Sequence, residues 1–244
     1  MAAPRFLVSD TLLIGKTIAL PPAASHHALR VLRLRARDAI VLFDGAGGEF
    51  QAVLVPDPGG GPHWQATITG GGPVDREARL RITIVQALSA QEKIDWFVEK
   101  AVELGADRIV LASSVRSVVR LAAARRQRRL ERWREIAAGA CAQSGRNRLP
   151  AIDLADDLAA ALGAARHASA CWLLEPNAPS GLARAPGGSV AIAVGPEGGF
   201  TGEEVALAHS LGFVSARLGQ RILRTETAAL AAVSALLALD GEFS

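Results

Sequence analysis

Cysteine is nearly absent from this chain. Its 244 residues include two, Cys141 and Cys171. Two thiols cannot build a disulfide framework or a four-thiolate zinc site, and they fit a reducing cytosol. Histidine is also sparse, and the five residues (26, 27, 63, 167 and 209) have no metal-ligand spacing, so no metal is expected. No apolar run reaches the roughly 18 residues that a membrane-spanning helix needs. The longest, Thr227–Leu239, is mostly alanine, so no membrane partner is expected. The amino-terminal MAAPRFLVSD lacks the charged-then-apolar order of a signal peptide, which makes the cytoplasm the expected compartment. There is no Gly-Lys-Ser/Thr phosphate loop, no G-x-G-x-x-G fingerprint and no Gly-x-Ser-x-Gly elbow, and neither cysteine has an obvious activating base. The composition also excludes collagen-like, coiled-coil and disordered classes.

Hydrophobic residues make up 50% of the chain, enough for one large domain or two modest ones. The net charge of +3 conceals an asymmetry. Residues 1–150 carry 22 Lys/Arg against 14 Asp/Glu, whereas residues 151–244 carry 5 against 10. Ten arginines, no lysine and only two acids, Glu131 and Glu135, fall within Arg116–Arg148. Arginine's planar fork suits phosphate contact. At 100° per residue, Arg125, Arg128, Arg129 and Arg132 share one helix face, while Leu130, Trp133, Ala137 and Cys141 share the other. Such a stripe is either a solvated face or a phosphate-binding one; the shortage of acids favours the second. A second cluster, Arg30, Arg33, Arg35 and Arg37, adjoins His26 and His27.

Glycine and proline punctuate the first third at Pro56–Pro62 and Gly70–Pro73. Before them, Ala39–Asp44 and Glu49–Val55 flank a turn at Gly45–Gly48 and read as a hairpin. His63–Thr69 alternates, with Trp64, Ala66 and Ile68 on one face. A small β-barrel over residues 1–72 follows. After Pro73 strands alternate with helices, which implies an α/β domain with a mainly parallel sheet over 73–244. Strands are expected at Leu80–Leu88, Arg108–Ala112, Cys171–Leu174, Val190–Val194 and Val214–Leu218. Helices are expected from Ser89, with Glu92 as a capping box, to Leu104; over Arg125–Gln143; from Thr201, capped with Glu204, to Leu211; and over Thr225–Leu239. The last is apolar nearly all round, which makes it either a central core helix or a subunit interface.

Two segments combine glycine with polar chemistry. In Val190–Thr201 a buried strand ends at Gly195, and Gly198 and Gly199 precede a capped helix. This is either a tight turn or a loop that lets a ligand approach backbone N–H groups. In Arg217–Thr227, Gly219 breaks a strand, Thr225 is placed to cap the apolar helix, and Arg224 and Glu226 form either an exposed ion pair or part of a site.

Taken together these residues resemble the RsmE family, the ribosomal RNA uracil-N3 methyltransferases of the SPOUT superfamily. The likeness runs through Arg5–Phe6, His27-x-x-x-Val31-Leu32-Arg33, Lys93…Trp96…Lys100-Ala-x-Glu103-Leu-Gly105 and Arg116-Ser-Val-Val-Arg120. It continues through Trp133, Gln143-Ser-Gly-Arg146, Gly195-Pro-Glu-Gly-Gly199 and Leu218-Gly-x-Arg-Ile-Leu-Arg-Thr-Glu-Thr227. Two positions depart from the family pattern, Val115 and Ala142. The resemblance implies a PUA-like barrel for RNA, a SPOUT-type α/β domain with a trefoil knot, and a homodimer whose site draws on both subunits. It implies S-adenosyl-L-methionine held by Leu174–Glu175, by Gly195, Pro196, Glu197, Gly198 and Gly199, and by Leu218, Gly219, Ile222 and Leu223.

On that reading the substrate is ribosomal RNA or the small ribosomal subunit. Arg224, together with Arg116 from the partner subunit, stabilises charge on the uracil, and Glu226 is the base. The RNA-binding residues are Arg5, Arg30, Arg33, Arg125, Arg128, Arg129, Arg132 and Arg146. Three other functions stay open: a SPOUT enzyme acting on another target such as a transfer-RNA ribose 2′-hydroxyl, a non-catalytic RNA-binding protein, and a metabolic α/β enzyme using a nucleotide.

Overall fold

A computed structural model of the chain describes residues 3–59 and 63–243. Residues 60–62 of the Pro56–Pro62 turn therefore lie outside the described residues. The chain divides into two compact units. One is Met1–Glu77 with Cys141–Leu149, and the other is Ala78–Ala140 with Pro150–Ser244.

The first unit holds a five-stranded sheet. Its strands are β1 (Arg5–Leu7), β2 (Thr17–Ala19), β3 (Ala39–Phe43), β4 (Gly48–Val55) and β5 (Gln65–Pro73), in the order β1-β3-β4-β5-β2. The expected hairpin is present, with β3 and β4 antiparallel from Ala39↔Val53 to Phe43↔Glu49. Asp44 Oδ1 organises its turn by accepting the N–H groups of Ala46 at 2.7 Å and Gly48 at 2.9 Å. Alternate residues of the strands (Ile18, Ile40, Leu42, Leu54 and Ile68 among them) bury one shared core. A helix α1 (Pro22–His26) runs on into a π-helical turn at His27–Val31.

Gly70–Pro73, expected as a break, is instead the second half of β5 and pairs with Gly48–Gln51. The glycines permit close strand contact. Gly71 has φ +137°, and a β-carbon there would stand 2.5 Å from both the Glu49 carbonyl oxygen and Phe50 Cα. Any larger residue forces those backbones apart.

Residues 141–149 join this unit through polar contacts. The N–H of Gly47 donates to the Asn147 carbonyl at 3.0 Å, the Leu149 N–H to the Gly45 carbonyl at 2.9 Å, and Asn147 Nδ2 to the Val74 carbonyl at 3.0 Å. Arg5 pairs with Glu49 and donates to Asn147; Arg76 also pairs with Glu49, and Arg146 pairs with Glu77. Two arginines expected on an RNA-binding surface are thus interior. The side chains of Arg5 and Arg146 are 13% and 6% exposed, and both guanidinium groups are engaged within the protein. Arg76 first, with Arg5 and Asn147 assisting against the cost of burial, holds the Glu49 carboxyl down at about 2.

The second unit is a wholly parallel six-stranded sheet in the order β11-β9-β10-β6-β7-β8. The strands are β6 (Arg81–Ala87), β7 (Arg108–Ala112), β8 (Ala151–Leu154), β9 (Ala170–Leu174), β10 (Ser189–Val194) and β11 (Val214–Ala216). The central strands β6 and β10 read as near-continuous apolar runs because both faces are covered. The helices are α2 (Gln91–Glu103), α3 (Ala123–Ser144), α4 (Leu158–Ala165), α5 (Gly202–Ser210) and α6 (Thr225–Asp240).

Two caps differ from the sequence reading. Ala90, not Ser89, precedes α2 and makes no side-chain cap; Ser89 is buried with its Oγ unpartnered. Arg224 is the N-cap of α6, and Thr225 lies inside the helix. The Thr201–Glu204 capping box forms in both directions. On α3, Trp133 and Ala137 are buried, while Arg125 and Arg128 are exposed. The apolar α6 buries Ala229, Ala232, Val233, Leu236 and Leu237 against α2, β6 and β10, and leaves Leu239 45% exposed.

Candidate active site

A parallel sheet delivers all its carboxyl ends to one edge, and loops at that edge are where open α/β sheets bind ligands. In the second unit the ends of β9, β10 and β11 enclose a cavity of about 620 Å³. Leu174 and Glu175 reach it from β9. Gly195, Pro196, Glu197 and Gly199 reach it from β10. Leu218, Gly219, Ile222 and Leu223 follow β11, and Arg224 completes the wall. The sequence thus brought together ten of its eleven expected cofactor residues and one expected catalytic residue. Gly199 at φ +68° and Gly219 at φ +71° make the turns of the second and third segments.

Gly198 is the eleventh. It does not line the cavity; a β-carbon there would press on Arg116 Cβ at 3.3 Å. Arg116 does not line the cavity either. Its Nη1 donates to the carbonyls of Gly198 at 3.0 Å and Phe200 at 3.2 Å, so it clamps the glycine loop of its own chain. Glu204 tightens the same junction by accepting the N–H of Val115 at 2.9 Å and that of Thr201 at 2.8 Å. Burial works to raise the Glu204 pKa, but these backbone N–H groups outweigh it and hold the carboxyl below its ordinary value.

Arg224 and Glu226 form no ion pair. Arg224 is exposed, with no side-chain partner among the described residues. Glu226 is 9% exposed, does not line the cavity, and keeps an Oε2 without a hydrogen-bond partner. Between them, Thr225 ties α6 to the glycine loop. Its Oγ1 donates to the Gly195 carbonyl at 2.6 Å and accepts from Gln86 Nε2 at 2.8 Å.

Sequence reasoning did not assign Lys93 to the site. Its Nζ lies 2.7 Å from Glu197 Oε1 at the cavity wall. The hydrogen bond to Glu197 raises the lysine pKa, and the charge of Glu226 adds to that effect. Burial pushes the Glu197 carboxyl up, Lys93 pulls it down, and the net is a lowered value. A cation in the first turn of a helix that follows a strand was the available signal, since such residues face the sheet's carboxyl edge.

The expected RNA-binding arginines separate into groups. Arg30 and Arg33 are exposed around the π-helical turn, and Arg33 has φ +56°. Arg125 and Arg128 are exposed, and Arg129 is half-buried. Arg132 is held by Asp95, with Nε to Oδ2 at 2.9 Å. Arg5 and Arg146 are interior, as described.

Residues 76–237 match the RNA methyltransferase domain family, and residues 20–59 match the RNA methyltransferase PUA domain. The ribosomal RNA small subunit methyltransferase E of Mycobacterium bovis is 31% identical, covering 97% of this chain and 92% of that protein. This chain belongs to the RsmE family of RNA methyltransferases. Among solved structures, the Neisseria gonorrhoeae ribosomal RNA small subunit methyltransferase E bound to S-adenosyl methionine matches with TM-score 0.90 and 37% identity, over 100% of both chains. A Legionella pneumophila protein crystallised with the same cofactor matches with TM-score 0.90 and 31% identity, over 98% of both chains. The RsmE fold accounts for both the parallel sheet and the smaller β-unit.

Proposed function

We propose that the protein transfers a methyl group from S-adenosyl-methionine to N3 of a uracil in the 16S RNA of the small ribosomal subunit. The observation that carries this reading is the cavity at the sheet's carboxyl edge, walled by three segments and bordered by the unpartnered Arg224. The donor set fits the cofactor. Leu174, Val194, Leu218, Ile222 and Leu223 offer apolar contact for an adenine, Glu175 and Glu197 accept from hydroxyl or ammonium groups, and Lys93 and Arg221 suit a carboxylate. When bound, S-adenosyl-methionine supplies a methyl carbon made electrophilic by the adjoining sulfonium.

The chain's own residues have four tasks. Uracil N3 carries a proton, so its lone pair is freed only when that proton leaves and negative charge spreads onto O2 and O4. The Arg224 N–H groups are assigned to those oxygens. Glu226 is assigned as proton acceptor; its Oε2 is the one buried carboxylate oxygen without a hydrogen-bond partner among the described residues. We assign Arg116 to holding the glycine loop rather than to the reaction. RNA approaches through the exposed arginines Arg30, Arg33, Arg125 and Arg128, with the half-buried Arg129 beside them, and the target base leaves its stack to enter the site. A homodimer and a trefoil knot belong to the same reading, and light scattering in solution tests the first.

The deciding experiment is Arg224→Ala, with cofactor affinity by calorimetry and methyl transfer measured on one preparation. Retained affinity with turnover reduced about 100-fold or more is expected for a lost charge-stabilising donor. Unchanged turnover removes Arg224 from the mechanism.

A further inference from the structure

A chain of hydrogen bonds leads away from the cavity through one of its wall residues. The Glu175 carboxylate Oε2 accepts from Ser215 Oγ, and Ser215 Oγ stands 2.9 Å from His209 Nε2. An ionised carboxylate only accepts, and a hydroxyl has a single proton to give. Ser215 therefore spends its proton on Glu175 and receives from His209, which fixes the imidazole with a proton on Nε2. The chain has one direction, from His209 through Ser215 to Glu175.

The fold builds this arrangement from register. Strand β11 runs parallel to β9 with Ser215 opposite Leu173 and Ala216 opposite Leu174. Side chains alternate along a strand, so Leu173, Glu175 and Ser215 share a face and Ser215 lies diagonal to Glu175. His209 comes from the last turn of α5, and the turn at Gly212, with φ +89°, folds the chain back to bring Ser215 alongside. Glu175 also lines a second cavity of about 530 Å³ together with His209, Ser215 and Phe213. It is thus a wall residue of both cavities, a position in which an unsupported carboxylate would have several rotamers open to it.

We infer that Ser215 and His209 are positioning residues for the cofactor. They engage Oε2 of Glu175 and so orient the carboxylate to accept from the ribose hydroxyls in the first cavity. An acidic residue beyond a strand's carboxyl end serves a ribose in this way in other open α/β sheets. The inference rests on the cofactor reading above.

Calorimetry of S-adenosyl-methionine and of 5′-methylthioadenosine, which keeps the ribose but lacks the ammonium and carboxylate, tests it. Ser215→Ala should weaken both ligands 3- to 10-fold, and Ser215→Thr, which keeps the hydroxyl, should restore affinity. Glu175→Gln should weaken both by a larger factor, and adding Ser215→Ala to it should cost nothing more, because the serine acts only through the carboxylate. Full additivity of the two changes, or an unaltered Ser215→Ala, overturns the inference. A loss confined to S-adenosyl-methionine overturns the hydroxyl assignment. Failure of the wild-type protein to bind either ligand overturns the cofactor reading, and this inference with it.

Discussion

The ionic cluster of the first unit yields a prediction that separates charge from shape. Glu49 is nine-tenths buried, receives hydrogen bonds from Arg76 and Arg5, and has its carboxyl lowered from 4.5 to about 2. A depressed native pKa means the folded state holds its proton less tightly than the unfolded one. The contribution is therefore complete above about pH 4.5 and disappears as the pH falls toward 2. At neutral pH the shift corresponds to about 3 kcal/mol, and by pH 3 it shrinks by about 2 kcal/mol. Glu49→Gln keeps the size of the side chain and removes the charge. Urea unfolding of both proteins from pH 7 to pH 3 should show a gap of about 3 kcal/mol that narrows on acidification. Urea is uncharged and does not screen the cluster. A gap that stays constant over that range would show that ionisation of Glu49 is not what stabilises the unit.

Thr225→Val preserves shape but leaves Gln86 Nε2 and the Gly195 carbonyl without the threonine hydroxyl; a loss of about 2–4 kcal/mol in unfolding is expected, with weaker cofactor binding by calorimetry. Reversing Arg125 and Arg128 to glutamate should weaken RNA binding and flatten its dependence on salt by about one unit of slope for each phosphate no longer engaged; an unaltered slope would mark that face as merely solvated. Arg132 is kept as it is in that variant, because Asp95 already occupies it.

Much of the second unit was legible because a parallel sheet writes its pattern locally. Apart from β9, which leads to β10 without a helix, each strand is followed by a turn or loop and a helix, and the glycines at Gly195–Gly199 and Gly219 sit where the strands stop. Arg224 stood out in the polar stretch after Gly219 for the same reason, whereas the three segments expected to hold a cofactor were named from the likeness to the RsmE family and not from the pattern. What failed was non-local. Gly70–Pro73 has the composition of a linker, yet it is strand because β4 supplies its hydrogen-bond partners and the glycines let the two backbones close up. The burial of Arg5 and Arg146 depends on Glu49, Glu77 and Asn147, residues brought near them only when 141–149 join the first unit. Charge clustering in sequence cannot reveal an acid that arrives from 44 or 69 residues away. Lys93 was visible as a residue but not as a site residue, because its role depends on Glu197 across the sheet edge. The caps of α2 and α6 each lie one residue from the expected position. Ser89 and Thr225 have cap-forming side chains, but tertiary hydrogen bonding claims Thr225 for the Gly195 carbonyl instead.

The central claim is that the glycine-walled cavity delivers a methyl group to a uracil nitrogen. Incubating the purified protein with S-adenosyl-methionine carrying a labelled methyl group, and with 16S ribosomal RNA either free or in small subunits, tests it when the RNA is digested and its nucleosides are weighed by mass spectrometry. The account predicts label in 3-methyluridine, lost with Arg224→Ala. Label in a ribose-methylated nucleoside, or none at all in a preparation that binds the cofactor, would contradict it.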